Sequence, residues 1–129
     1  MVEENDKERN FMIRFRKDFI KFLIRKGLDR KALTFARKDG FDIVVLRQDT
    51  ETFFLFHDDT PFGEVMIKKE IDVADRSEVL EKINEKNTRL GAMNLSLVNN
   101  ILCVRAWAEY DFEKLFHTYQ KCLRISQEF

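Results

Sequence analysis

The sequence is poor in the residues that most often mark a disulfide framework or a phosphate-binding loop. It has 129 residues with four glycines, one proline and two cysteines. Two cysteines, Cys103 and Cys122, do not make a disulfide framework for a chain of this size, so we expect free thiols in a reducing compartment. The glycines form no glycine-rich loop, and the sequence therefore gives no support to nucleotide binding.

The chain also lacks a net charge and a long apolar run. Lysine plus arginine and aspartate plus glutamate are balanced at 23 each. A general nucleic-acid binder needs a basic excess to displace counterions, so we expect no nucleic-acid partner. No stretch approaches the ~18 apolar residues of a membrane span, and the polar N-terminus lacks the apolar core of a signal peptide. We expect a soluble, cytoplasmic protein.

Although the charges balance over the whole chain, its first part is basic. Residues 1–38 contain 12 basic and 6 acidic side chains, against 11 and 17 in residues 39–129. From about Arg9 to Lys26 the apolar residues recur at helical spacing, and Gly27 is placed to end this helix. The apolar stripe consists of Phe11, Phe15, Phe19, Phe22 and Leu23, widened by Met12 and Ile20.

The middle of the chain changes to the period of two that is typical of strands. Three or four strands are predicted before the second helix, at Leu33–Phe35, Phe41–Arg47, Thr52–His57 and Val65–Ile71. The spacing of Asp75 and Glu78 is that of a capping box and predicts a helix from about Arg76 to Asn87. Asp111 is the predicted N-cap of the last helix, which has an apolar face.

The clearest single stretch is Leu90–Glu109, where two apolar runs flank Asn99-Asn100. Asparagine tolerates the positive φ of a two-residue hairpin turn, and such a turn fixes the register of the two strands. One hairpin face is then an apolar core face, made of Met93, Leu95, Leu97, Leu102, Val104 and Ala106. The opposite face is mixed, with Asn94, Ser96, Val98, Ile101, Cys103, Arg105 and Trp107.

Together these elements predict one α+β domain that covers residues 9–129. Strands joined by short turns pair antiparallel, which gives a two-layer fold with an antiparallel sheet of about five to six strands covered by helices. The predicted order is α-β-β-β(-β)-α-β-β-α. Residues 1–8 are predicted to be a disordered or frayed N-terminus.

Candidate catalytic and metal-binding residues are sparse. The stretch His57-Asp58-Asp59 and the distant His117 lack the paired spacing of a metal site, and a turn after a strand is the favoured interpretation. Cys103 or Cys122 beside a histidine is a conceivable nucleophile, but neither has a local motif. We therefore predict no catalytic residue, no metal and no cofactor.

The basic, phenylalanine-striped first helix has two interpretations. It either binds an anionic membrane surface or a partner's groove, or packs its stripe on the sheet with its charged face in solvent. We favour packing, because this fold needs a helix to cover its sheet. RNA stacking on exposed Phe53, Phe54 and Phe56 is a third interpretation, which the acidic charge of that part of the chain opposes.

The candidate protein interface is the mixed hairpin face, represented by Val98, Ile101, Arg105 and Trp107. Tryptophan and arginine are enriched at the cores of protein interfaces. The alternative is that Trp107 packs beneath the last helix as a core residue, and the sequence does not decide between the two.

The element order resembles that of a known family. The residues that carry this are Asn84 and Asn87 near the end of the second helix, Gly91, and a hairpin that ends in an aromatic just before the last helix. In these features the chain resembles the YbjN family, which shares the fold of class I type III secretion chaperones. The pattern of those chaperones is similar to Ile83 through Leu123.

The resemblance implies a small, homodimeric, non-catalytic binding protein or chaperone. The predicted function is thus a protein-binding or chaperone-like module whose partner is another protein or a second copy of the chain. The alternative is an adaptor or immunity-type protein that engages one partner, or an anionic membrane surface, through its basic first helix.

Overall fold

The computed structural model describes the backbone of residues 2–38 and 40–129, and the side chains of Phe11, 14–38 and 40–129. It contains three α-helices and a six-stranded sheet. The helices are α1 (Val2–Arg25), α2 (Arg76–Leu90) and α3 (Phe112–Gln127). The strands are β1 (Leu33–Lys38), β2 (Phe41–Arg47), β3 (Glu51–His57), β4 (Phe62–Glu70), β5 (Met93–Val98) and β6 (Ile101–Glu109). The predicted α+β class and element order are confirmed.

The sheet is antiparallel throughout, with the strand order β1-β2-β3-β4-β6-β5. The hairpin β5–β6 joins the first four strands through β6, with Val65 opposite Ala106 and Ile67 opposite Val104. The described helices pack their apolar residues on one surface of the sheet, the helix face, where Phe54 and Val65 are fully buried. The other surface carries no helix among the described residues and is called the open face.

The hairpin has the predicted register. Asn99 has a φ of 55°, and Val98 lies opposite Ile101. Leu95 lies opposite Val104, and both are buried on the helix face. A two-residue turn of this kind fixes which residues face the core, since a slip by one residue would turn every side chain to the other surface.

Helix α1 packs its phenylalanines on the helix face, as the favoured interpretation required. Phe19 and Leu23 are fully buried, and the Phe19 ring meets Phe54 edge-on at 5.0 Å between centroids. Phe15 is half-buried and Phe11 is exposed, while the Met12 side chain lies outside the described residues. The membrane or groove interpretation therefore has no free apolar stripe between residues 14 and 25.

The end of α1 follows from its glycine. The Leu28 N–H donates to the Leu23 carbonyl, and the Gly27 N–H donates to the Ile24 carbonyl. Gly27 has a φ of 101°, a conformation that glycine adopts without steric cost. These two bonds form a Schellman motif that satisfies carbonyls left open at the helix end.

Several boundaries differ from the prediction. Helix α1 begins at Val2 instead of about Arg9, because the polar residues 3–8 are compatible with a helix although they lack the apolar period by which the helix was predicted. The side chains of residues 1–8 lie outside the described residues, so the predicted fraying of this segment stays a prediction. Helix α2 runs to Leu90, and β4 begins at Phe62. The sequence also predicts a turn at Lys38-Asp39-Gly40, between the first two strands, and Asp39 lies outside the described residues. No described helix is apolar enough over sufficient length to cross a bilayer.

A buried ion cluster joins α1 to β1 and β2. The Asp42 carboxylate is fully buried and lies 3.0 Å from both Arg16 Nη1 and Arg37 Nη1. Arg37 also reaches the Asp58 carboxylate, at 2.6 Å from Nη2. The hydrogen bond to Asp58 has the largest effect and raises the pKa of Arg37, and the bond to Asp42 acts in the same direction. Burial opposes them by removing water, but the net shift of the pKa is upward. The cluster holds the first helix and the edge strand in one position.

Asn87 closes the outer edge of β5. Its Nδ2 donates to the Leu95 carbonyl at 2.9 Å, and the Leu95 N–H donates to its Oδ1 at 2.7 Å. The side-chain amide therefore takes the place that a neighbouring strand would occupy. Edge strands with unpaired backbone groups invite pairing with another chain, and this bond pair blocks the middle of one edge.

Replacement of Leu95 tests the register of the hairpin. Leu95→Ala should lower the free energy of unfolding by ~2–5 kcal/mol, because it removes a buried leucine side chain and leaves a cavity. Val98→Ala, on the exposed face of the same strand, is the matched control and should change it by less than about 0.5 kcal/mol. Urea denaturation measures both, and equal midpoints for the two variants would contradict the register.

Replacement of Asp42 tests the ion cluster. Asp42→Ala should lower the free energy of unfolding by ~3–5 kcal/mol, because it leaves the Arg16 guanidinium buried without its counter-charge. Asp58→Ala should have a smaller effect, since that carboxylate is partly exposed and has one arginine partner. If the two variants melt at the same temperature, the cluster contributes nothing specific at Asp42.

Candidate protein interface on the open face of the sheet

The open face is apolar at its centre. Val45 lies opposite Phe53, and Phe53 lies opposite Met66, so one row of apolar side chains crosses three strands. The neighbouring row places Ile43 opposite Leu55. Around these five residues the open face carries further apolar side chains, at Phe41, Phe62, Val98, Ile101 and Trp107. None of these ten side chains belongs to the core formed with the helices.

Trp107 lies on this face and is exposed to solvent over 51% of its surface. It stands opposite Glu64 of β4, while its neighbours Ala106 and Ala108 point to the helix face and are buried. The Trp107 ring lies 6.1 Å from the His57 ring, which lies 5.5 Å from Phe41. The interpretation that placed Trp107 beneath the last helix is therefore wrong, and the ring is one end of an aromatic row.

Arg105 is engaged within the chain. Its Nε donates to Glu64 Oε1 at 2.5 Å, and Glu64 is only 4% exposed although no described helix covers it. This hydrogen bond raises the pKa of Arg105, against the opposing effect of partial burial. The arginine thus neutralises an acidic group in the middle of the apolar surface, and it is not a free cation that awaits a partner's carboxylate.

The four predicted interface residues share the open face but form two groups. Val98 and Ile101 lie opposite each other beside the hairpin turn and are exposed. Arg105 and Trp107 lie near the other end of β6, against β4. The row of Cys103 and its neighbours separates the two groups, so only the second group is continuous with the apolar centre.

Sequence reasoning missed the larger part of this face. Ile43 and Val45 lie on β2, Phe53 and Leu55 on β3, and Met66 on β4. The available signal was the unbroken apolar run Ile43–Leu46, since a strand apolar on both sides is covered on both sides in many proteins. Phe54 and Phe56, which entered the RNA interpretation, are fully buried on the helix face instead.

Charged residues at the margins of the open face balance one another. Glu51 lies opposite Lys68 and also forms a salt bridge with Arg47, with 3.5 Å between its Oε2 and the Arg47 Nε. The Lys68 ammonium lies 5.3 Å from the centre of the Phe53 ring, within the range of a cation–π contact. The face therefore presents apolar area with paired charges at its rim, a composition found at protein interfaces.

A groove adjoins the open face at Trp107. It has a volume of about 620 Å³ and lies between the end of α2 and the length of α3. Its floor is apolar, with Met93, Ala106 and Ile125, and Lys121 and Arg124 line it as well. Trp107 contributes to both surfaces, so the groove and the open face meet at this residue.

The histidines and cysteines do not assemble into a reactive site in the described part of the chain. No group of three or more metal-binding side chains is found among those residues. Burial raises the pKa of the Cys122 thiol to about 12 and raises that of Cys103 as well. A thiol is nucleophilic as its thiolate, which burial disfavours at both positions.

No protein-family model matches this chain, and its sequence matches no curated protein. The resemblance to the YbjN family consequently stays a prediction that rests on element order and on a few residues. Of those residues, Asn87 now has a physical role of its own, which is the closure of the β5 edge.

Thiol reactivity tests the interpretation of the cysteines. With a pKa of about 12, only about one Cys122 side chain in ten thousand is ionised at pH 8. Iodoacetamide should therefore label Cys122 very slowly in the folded protein and rapidly in urea, as followed by mass spectrometry. Rapid labelling of Cys122 under native conditions would show an activated thiol and contradict its structural role.

The same burial predicts an alkaline loss of stability. The unfolded Cys122 thiol ionises near its ordinary pKa of 9.0, whereas the folded thiol keeps its proton to about 12. The unfolded state then binds fewer protons than the folded state, so the free energy of unfolding should decrease as the pH rises above 9. The free energy of unfolding of Cys122→Ala should decline less steeply with pH over that range than that of the wild type. Identical slopes for the two proteins would count against the buried thiol as the cause.

Proposed function

We propose that this protein is a non-catalytic, protein-binding or chaperone-like module that acts as a homodimer and holds its partner on the open face. The single observation that carries the proposal is a six-stranded sheet covered by helices on one side, with an apolar centre on the other side. A contiguous apolar surface with a polar rim is typical of a site for another protein.

The energetics of the open face favour a protein partner. Half-buried Phe53, Leu55 and Met66 still expose apolar area, and covering such area is favourable by about 25 cal/mol per Å². The charge of Glu64 is already neutralised by Arg105, so docking does not bury an unpaired carboxylate there. Trp107 adds a large, exposed aromatic of the kind that dominates binding energy at interfaces.

The open face supports this function better than the first helix supports the alternative. Helix α1 buries Phe19, Phe22 and Leu23 in the core, and its exposed positions from Arg14 to Arg25 are charged. An adaptor that bound a membrane or a groove through this helix would need an apolar stripe as well as the basic face. We place the protein in the reducing cytoplasm, in keeping with two unpaired thiols.

The test compares variants of the two surfaces. The tagged protein is purified from its native cells as wild type, as Trp107→Ala and as Lys21→Glu, and co-purifying proteins are quantified by mass spectrometry. Trp107→Ala should reduce the recovery of a specific partner at least about tenfold, because truncation of a tryptophan at a protein interface commonly removes that much affinity. Lys21→Glu, on the exposed face of α1, should leave the recovery unchanged.

Circular dichroism and thermal melting establish that both variants are folded. Loss of the partner with Lys21→Glu, but not with Trp107→Ala, would assign binding to the first helix and overturn the proposal. A partner retained by both variants would exclude Trp107 from the interface, and Met66→Lys would then decide whether the apolar centre takes part.

A further inference from the structure

The two outer edges of the sheet differ in whether another part of the chain occupies their backbone hydrogen-bonding groups. The outer edge of β5 is closed at Leu95 by the Asn87 side chain, which occupies both backbone groups of that residue. The outer edge of β1 has no strand beside it within the described residues. An open edge presents a row of backbone donors and acceptors that a further strand can pair with.

The backbone groups that β1 leaves open can be assigned. The Leu33 N–H donates to the Arg30 carbonyl, on the side away from β2. Alternate residues of an antiparallel strand point their backbone groups to the same side, so Phe35 and Arg37 also point outward. The backbone groups of Thr34 and Ala36 then form the hydrogen bonds with β2, where these residues lie opposite Val45 and Ile43. The outward groups of Phe35 and Arg37, together with the Leu33 carbonyl, remain for a neighbour.

The side chains of β1 leave the middle of this edge without the usual protection. Natural edge strands are guarded by proline, by bulges or by charged side chains. Strand β1 contains no proline, its Arg37 is held by the carboxylates of Asp42 and Asp58, and its exposed charge, Lys38, stands at the end of the strand. Phe35, at the middle of the strand, is 57% exposed, with the Arg16 guanidinium 4.1 Å from its ring centre.

We propose that β1 pairs antiparallel with β1 of a second copy of this chain, about a two-fold axis at Phe35. Phe35 then lies opposite Phe35 of the partner subunit, and Leu33 lies opposite the partner's Arg37. Four main-chain hydrogen bonds form, two between the facing Phe35 residues and two from Arg37 N–H groups to Leu33 carbonyls. The two exposed rings cover each other on the helix face.

A second copy fits this edge better than an unrelated strand does, because β1 is complementary to itself. The pairing about Phe35 places the charged Arg37 opposite an apolar leucine and brings no like charges face to face. A two-fold axis here runs perpendicular to the sheet, which makes a closed dimer. Both open faces then lie on the same side of one continuous twelve-stranded sheet, which doubles the surface offered to a partner.

This assignment rests on the proposed homodimer and names its interface. The first experiment is disulfide trapping in a Cys103→Ser background, with Phe35→Cys as the test and Thr34→Cys and Ala36→Cys as matched controls. Facing residues in a hydrogen-bonded antiparallel pair have Cα atoms about 5.5 Å apart, which suits a disulfide. Mild oxidation should cross-link Phe35→Cys into a dimer, whereas the controls, displaced from the axis in opposite directions, should stay largely uncross-linked.

The second experiment measures association without oxidation. Sedimentation equilibrium should give twice the 15.5 kDa mass for the wild type. Phe35→Pro should weaken the dimer about tenfold to a hundredfold, because it removes the outward N–H and the ring. The monomer fold should persist by circular dichroism, since that N–H bonds no strand of the same chain. Trp107→Ala should leave the dimer intact.

The outcomes separate the two proposals. A wild type that stays at 15.5 kDa and gives no Phe35→Cys cross-link overturns both the β1 interface and the homodimer. A dimer that Phe35→Pro does not weaken, with no register-specific cross-link, overturns only the β1 interface. If Phe35→Pro fails to fold, the trapping result alone decides. If Trp107→Ala dissociates the dimer while Phe35→Pro does not, the copies meet through the open face.

Discussion

The structure depends on one constraint, which is that a single layer of three helices covers a sheet of six strands on one side. The apolar stripe of α1 and that of α3 meet over the centre of the sheet, where Phe19 and Phe22 contact Phe112. Phe54 and Phe56 of β3 complete this aromatic core from below. Since the helices are fully used on one side, the apolar residues of the other side have no cover within the described chain.

The polar contacts of the fold occur where the helix layer meets the margins of the sheet. Arg16 and Asp42 join α1 to β2 at one margin, and Asn87 joins α2 to β5 at the other. Both contacts are buried or partly buried, so each is held in a specific geometry by the surrounding packing. The apolar core sets how much stability is available, and these contacts determine how the helices sit across the strands.

Local features of the fold could be predicted from the sequence, and distant pairings could not. Asn99-Asn100 identified the hairpin and its register, because a two-residue turn leaves one way to pair Leu95 with Val104. The Asp75 and Asp111 caps were also local signals, and both side chains accept the predicted backbone N–H groups. The pairing of β4 with β6 carries no local signal, so the position of Trp107 beside Glu64 could not be foreseen.

The candidate site could be predicted only in part, because only some of its residues carry a local sequence signal. Trp107 and Arg105 were identified by residue type and by their place in the hairpin. The apolar centre at Phe53 and Met66 depends on three strands that lie together only once the order is known. The ion pair of Arg105 with Glu64 joins residues 41 positions apart, and that of Arg16 with Asp42 joins residues 26 positions apart. Neither separation follows from a helical or a strand period.

The amide of Asn87 has a consequence for the size of any assembly built by this chain. A sheet with two open edges can add copies at both ends without limit, as in a fibril. Here one end of the sheet is occupied by a side chain of the same molecule. At that edge the backbone groups of Leu95 are not available to another strand, so edge-to-edge addition is favoured at β1, where the pairing of two copies uses both β1 edges and disfavours continued polymerisation.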